Sequence, residues 1–212
     1  MASAYAGCSA SRSRKFTPLT TTFAELGVPQ DLIDALAQQG IEAPFAIQTL
    51  AIGDAMARRD VCGKAKTGSG KTLAFSLPAI AHTERNQEGK PTTLVLTPTR
   101  ELANQITGVV DPLARVRQLR TIAVYGGTNI DKQIETIDKG IDIIIATPGR
   151  LIDLIDRKAM DVALVECVVV DEADRMADMG FLPQVEWILR HIQVDHQTML
   201  FSATLDGAVD TV

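Results

Sequence analysis

The segment Ala65-Lys66-Thr67-Gly68-Ser69-Gly70-Lys71-Thr72 sets a lysine and a threonine directly behind two closely spaced glycines. That combination suits a polyphosphate. Gly68 and Gly70 let backbone N–H groups close round phosphate oxygens, because no Cβ intrudes and positive φ is open to them. A helix opening near Lys71 points its positive end at the same oxygens. Lys71 has the reach for β and γ phosphates, and the Thr72 hydroxyl can ligate Mg²⁺. The common form of such a loop begins with glycine, and Ala65 stands there instead. Taken alone, the segment reads either as a nucleotide loop or as a glycine-rich turn.

A second cluster favours the nucleotide reading. Cys167-Val168-Val169-Val170 is an apolar run that ends in Asp171 and Glu172. An acid at a strand end beside a phosphate loop is where Mg²⁺ is held, directly or through water. A neighbouring carboxylate can orient and deprotonate an attacking water. Asp171 is therefore expected on the metal with Thr72, Glu172 as general base, and Lys71 on the transferred phosphate.

These residues need a frame. Apolar β-branched runs recur at 93–97, 121–125, 142–147, 167–171 and 198–202, and they do not alternate with polar residues. Such runs predict strands covered on both faces. Helical spacing lies between them, at Arg100–Leu113, Ile130–Asp138, Arg150–Arg157 and Leu182–His191, with two earlier helices before Gly40 and over Ile47–Ala57. Strand–helix alternation predicts an α/β domain with a mostly parallel sheet and helices on both faces. Ligands of such sheets sit beyond the carboxyl ends of the strands. The small, polar and charged outliers all fall at those ends: Ala65–Thr72, Pro98–Arg100, Gly126–Gly127, Thr147–Arg150, Asp171–Glu172 and Ser202–Thr204. Residues 1–22, rich in Ser and Ala, are expected to form a flexible arm ahead of one domain over 23–212.

Composition narrows the class. A chain of 212 residues with 46 % hydrophobic and 22 % charged residues suits one globular domain with a substantial core. A net charge of −5 offers no general basic surface for nucleic acid, although a local groove does not need one. Three scattered cysteines and three scattered histidines imply neither a disulfide framework nor a zinc site. No apolar run approaches the ~18 residues of a membrane span. No membrane association is expected, and the expected location is the cytoplasm.

The motifs taken in order resemble the first RecA-like domain of a DEAD-box ATP-dependent RNA helicase. The resemblance runs through Ala46-Ile47-Gln48, the loop at 65–72, Pro98-Thr99-Arg100-Glu101-Leu102-Ala103, Gly126-Gly127, Thr147-Pro148-Gly149-Arg150, Asp171-Glu172-Ala173-Asp174 and Ser202-Ala203-Thr204. It covers roughly residues 23–205. In that family alanine is the expected start of the phosphate loop, which answers the question Ala65 raised. The resemblance implies ATP and Mg²⁺ as cofactors, bound by Phe23, Gln48, Ala65, Thr67, Gly68, Ser69, Gly70, Lys71 and Thr72. Gln48 is expected to read the adenine edge through an amide that both donates and accepts, and Phe23 to pack on the base. The resemblance assigns RNA backbone contacts to Thr99, Arg100, Gly127, Thr147, Gly149 and Arg150, with little sequence preference. It assigns the coupling of nucleotide state to RNA to Asp174, Ser202 and Thr204.

Two departures stand beside the match. Ile41 and Phe45 occupy positions where the family pattern has phenylalanine and threonine. The chain also ends at Val212, just past Ser202-Ala203-Thr204. A second RecA-like domain, with the arginines that complete catalysis, is therefore an expected partner, and residues 1–212 are expected to behave as a nearly inactive monomer. The alternative function is a nucleotide-gated RNA clamp or scaffold that does not unwind. A DNA helicase or small-molecule kinase fits poorly with Gln48 and Thr147–Arg150 together.

Overall fold

A computed structural model describes residues 21–66, 68–85 and 90–204. The expected arm lies almost wholly outside these residues, as does Thr67. The described chain starts at the arm's last two residues. There the Thr22 N–H donates to Glu25 Oε2 and the Glu25 N–H donates to Thr22 Oγ1, a reciprocal cap.

Six strands form the sheet: β1 (Val61–Lys64), β2 (Thr93–Leu96), β3 (Thr121–Val124), β4 (Ile143–Ala146), β5 (Cys167–Asp171) and β6 (Gln197–Ser202). Their order is β1-β6-β5-β2-β4-β3, and every pairing is parallel. Among the described residues eight helices accompany them: α1 (Gln30–Gln38), α2 (Ala46–Met56), α3 (Lys71–His82), α4 (Arg100–Val116), α5 (Ile130–Ile137), α6 (Pro148–Asp156), α7 (Ala173–Asp178) and α8 (Leu182–Leu189).

The unbroken apolar runs follow from burial on two sides. Val95, Ile143, Ile145, Val169, Met199 and Phe201 face one core, shared with α1 to α4. Their neighbours Leu94, Leu96, Ile144, Val168, Val170 and Leu200 face a second core, shared with α5 to α8. A strand with both faces covered has no polar face to show.

Strand β1 is absent from the sequence-based expectation. Its residues Val-Cys-Gly-Lys carry little apolar signal. The reason is local: a Cβ at Gly63 would come within 2.6 Å of the Phe201 ring, its register partner on β6. Bulk is supplied by the neighbouring strand. Helix α7, also not foreseen, is a short element directly behind Glu172. Because all six strands run one way, their carboxyl ends share one edge, and every described functional candidate except Phe23 and Gln48 leaves the sheet there.

Candidate functional site

Over β1, β6 and β5 the phosphate loop faces the acidic pair. Ala65 extends the β1–β6 ladder, its N–H donating 2.9 Å to the Ser202 carbonyl. The chain then turns through Gly68 (φ +82°) and Gly70 (φ +89°) into α3, whose first residue is Lys71. Gly70 needs its glycine twice. It adopts a left-handed φ, and a Cβ there would meet Gln48 Nε2 at 2.6 Å and Phe45 Cδ2 at 2.7 Å.

Lys71 is only 6 % exposed. Its ammonium donates to the Ala65 carbonyl at 3.0 Å and lies 3.6 Å from Glu172 Oε1. Glu172 itself holds a left-handed backbone (φ 55°, ψ 48°), uncommon for a residue with a Cβ. That sharp step from β5 into α7 carries its carboxylate to the lysine. Strain of this kind clusters where side-chain placement matters.

Asp171 is 5 % exposed, and its Oδ1 is buried without a hydrogen-bond partner. Burial pushes its carboxyl up to about 6; Lys71 pulls against this, and the Glu172 charge adds to it. A buried carboxylate oxygen without a donor, beside the Thr72 hydroxyl and a glycine cradle, is a fitting ligand for a hard divalent cation. No cluster of three or more His, Cys, Asp or Glu stands ready for a metal among the described residues.

The loop cavity, about 400 Å³, is lined by Gly68, Gly70, Lys71, Thr72, Asp171 and Glu172, together with Phe45 and with Leu102, Gln105 and Ile106 of α4. Two expected nucleotide contacts, Phe23 and Gln48, are not among the lining residues. Phe23 is 2 % exposed and packed in the core with α1 to α4, so it presents no face to a base. Gln48 is 1 % exposed. Its Oε1 accepts from the Phe45 N–H at 2.8 Å and its Nε2 donates to the Gly70 carbonyl at 3.0 Å. The amide expected to read adenine latches the first turn of α2 to the phosphate loop. Ser69 is in the loop, its Oγ buried without a partner.

Asp174, Ser202 and Thr204, the residues expected to couple nucleotide state to RNA, lie together. The Asp174 N–H donates to Ser202 Oγ at 3.1 Å, and Asp174 Oδ2 accepts from the Thr204 N–H at 3.1 Å and from its hydroxyl at 3.2 Å. Burial opposes ionisation of Asp174. The bonds from Ser202, from the Arg175 N–H and from Thr204 outweigh it and hold the carboxyl below the usual range.

A second concavity, about 480 Å³, opens over β2, β4 and β3. Arg100, Thr147, Gly149 and Arg150 line it, with Tyr125, Phe181 and Gln184. The Arg100 guanidinium lies 6.0 Å from the Tyr125 ring centroid. Arg150 is braced by the Thr128 carbonyl at 3.3 Å and Gln133 Oε1 at 2.9 Å. Thr99 does not line this groove; its hydroxyl caps α4 by accepting from the Leu102 N–H at 3.3 Å. Gly127 (φ +81°) lies beside Arg100, just outside the lining. Tyr125, Phe181 and Gln184 were not foreseen, because nothing in their local sequence marks them as sharing a surface.

The DEAD/DEAH box helicase family model matches residues 45–212. This chain belongs to that family. It is 44 % identical over 187 residues to an RNA helicase of Synechocystis, CrhR, covering 88 % of this chain and 38 % of that protein. It is 46 % identical over 193 residues to DEAD-box ATP-dependent RNA helicase 24 of Oryza sativa, covering 89 % of this chain and 25 % of that protein. Among solved structures, a DEAD box protein from the hyperthermophile Methanococcus jannaschii superposes with a TM-score of 0.82 at 35 % identity, over 87 % of this chain and 50 % of that one. The fold is the RecA-like one. The chain spans well under half the length of these curated relatives.

Proposed function

We propose that this chain is the first RecA-like domain of an ATP-dependent RNA helicase, binding ATP with Mg²⁺ over β1, β6 and β5 and an RNA backbone over β2, β4 and β3. The observation that carries this reading is the convergence of Lys71, Asp171 and Glu172 on one glycine-bent loop, joined through Asp174 to Ser202 and Thr204. Mg²⁺, held by Thr72 and Asp171, would supply charge neutralisation on the polyphosphate.

The chain's own residues have distinct tasks. Backbone N–H groups of the loop and the start of α3 receive phosphate oxygens. Lys71 exchanges the Ala65 carbonyl for phosphate. Glu172, 3.6 Å from the Lys71 ammonium, takes the proton from an attacking water. Arg100 and Arg150 hold phosphates of a single strand, with the N–H groups at the start of α6 as neutral donors. Asp174 carries the state of the β5 end to Ser202 and Thr204. The second RecA-like domain would contribute arginines worth ~10³–10⁵ in rate in related nucleotide hydrolases.

Glu172→Gln, in a chain that carries both domains, tests this reading. ATP and RNA binding should persist while single-turnover hydrolysis is lost. Unchanged hydrolysis removes Glu172 from the role of base. Strand separation by the unmutated protein would distinguish a helicase from a clamp. Residues 1–212 alone should bind ADP modestly and hydrolyse ATP barely, with no stimulation by RNA.

A further inference from the structure

Thr97 carries a buried hydroxyl that the fold does not use. It follows directly on β2, is 0 % exposed, and its Oγ1 makes no hydrogen bond. Its backbone continues the sheet, the N–H donating 2.9 Å to the Ala146 carbonyl of β4. Valine has nearly the same shape and the same preference for strands, and it would leave no polar atom unbonded there. A hydroxyl in such a place calls for a partner.

The sheet register names that partner. Leu96 pairs with Val170 of β5, so Thr97, one step further, stands beside Asp171. The two residues share a face. Val95 and Val169, two positions earlier on each strand, belong to the core shared with α1 to α4, and so does Phe201, the β6 partner of Asp171. On that side α3 and α4 wall the phosphate-loop cavity. Neighbouring strands lie ~4.8 Å apart, so rotation about the side-chain torsions brings hydroxyl and carboxylate together. Asp171 Oδ1 is the complementary atom, a buried acceptor without a donor. Thr97 does not itself line the cavity, so it acts on a ligand there only through Asp171.

We infer that Thr97 is a positioning residue for the cation site: its hydroxyl donates to the Asp171 carboxylate and fixes that group's orientation when a nucleotide and a divalent cation bind. The inference rests on the nucleotide-binding reading above and concerns the same site. A carboxylate oxygen has lone pairs enough to accept from a hydroxyl and ligate a hard cation at once. A neutral donor orients the carboxylate and leaves its charge to the cation, whereas a lysine or arginine in the same place would compete for it.

Calorimetry on residues 1–212 tests this with ADP in Mg²⁺ and in EDTA, for the unmutated chain, Thr97→Val and Thr97→Ser. The gain in ADP affinity that Mg²⁺ confers should fall about tenfold in Thr97→Val. ADP affinity in EDTA should be the same for all three, and Thr97→Ser, which keeps the hydroxyl, should keep the gain. The Tm of metal-free Thr97→Val should hold or rise, because an unbonded buried hydroxyl is gone. An undiminished Mg²⁺ gain in Thr97→Val overturns the inference while leaving the nucleotide site intact. Equal losses with and without Mg²⁺ overturn it too, since Thr97 would then support the loop. So does a Thr97→Ser chain that behaves as Thr97→Val, since the methyl group and not the hydroxyl would then matter. If the unmutated chain binds no ADP under either condition, the nucleotide reading fails and the positioning role with it.

Discussion

Asp142 and Asp171 are both buried carboxylates at strand ends, and both have one oxygen without a hydrogen bond. They sit at opposite edges of the sheet. Asp142 precedes β4 at the amino edge. Its Oδ2 accepts from the Arg120 N–H at 2.7 Å, and the Arg85 and Arg120 guanidinium groups lie 3.8 Å away. Its own carbonyl accepts from the Thr92 and Thr93 N–H groups. Asp171 ends β5 at the carboxyl edge, with another acid next to it and its carboxyl pushed up to about 6. Two cations and a backbone donor make the first carboxylate a clip that joins strands. The second has Lys71 and a backbone donor from Glu172 beside it, but two acids, Glu172 and Asp174, set against them, and burial prevails. Burial alone does not separate structure from function; the charges around the buried group do.

The largest effect expected is at Asp142. Asp142→Ala leaves the Arg120 N–H without its acceptor and removes the partner of two guanidinium groups, a loss of about 3 kcal/mol. For a domain of this size the Tm should drop by on the order of 10 °C. A thermal melt within a degree or two of the unmutated chain would reduce Asp142 to a bystander and undo the contrast.

Asp171→Asn should do the reverse. Removing a poorly satisfied buried charge should leave stability unchanged or raise it by about 1 kcal/mol. The gain in ADP affinity that Mg²⁺ confers should disappear, as read by titrations with and without EDTA. The pH dependence sharpens this. A carboxyl raised in the folded state favours the fold when protonated, so its contribution is full below the unfolded value near pH 4 and is lost as pH rises through about 6. In metal-free buffer the unmutated chain and Asp171→Asn should therefore be closest in stability at low pH, with the variant ahead at neutral pH. A difference that is constant with pH would show that Asp171 is not carrying this burden.

The smallest effect should come from the half-buried Arg150. Arg150→Ala should weaken binding of single-stranded RNA across all sequences alike, and reduce the salt slope by about one. Sequence-dependent losses would mean that Arg150 reads bases. Cys167 gives a control for burial without function: its thiol is pushed up to about 12 by burial, so it should resist alkylation in the folded chain while exposed Cys62 reacts. Peptide mapping would show either outcome.

The contrast also explains what the sequence made legible. Both faces of the sheet announced themselves through the unbroken runs of β2, β4 and β5, and the loop and acidic pair through residue types that need neighbours of one kind. Strand β1 stayed hidden because Gly63 yields its volume to Phe201, a partner far along the chain. Gln48 and Phe23 were expected at a base and both are buried, Gln48 with its amide bonded to backbone, because a motif names a residue without saying which of its atoms are already bonded. Thr99 was placed on RNA, yet its hydroxyl caps its own helix. Tyr125 and Phe181, on separate elements, come together only through the sheet order. Asp142 was not singled out, since the arginines that define it arrive from other parts of the chain.

The placement of β1 beside β6 has a consequence for how the molecule comes into being. Val61 pairs with Met199, and the Thr198 N–H donates to Asp60 across a separation of 138 residues. The loop's first residue, Ala65, is tied to Ser202 on the same distant strand. Contacts so far apart in the chain form late, because closing a long stretch costs entropy before any contact repays it. During synthesis the strands β2 to β5 can pair as they emerge, while β1 waits with an open edge for β6. The nucleotide loop, though encoded early, is expected to gain its anchor late in folding. A chain interrupted before β6 would have most of a sheet and no phosphate site.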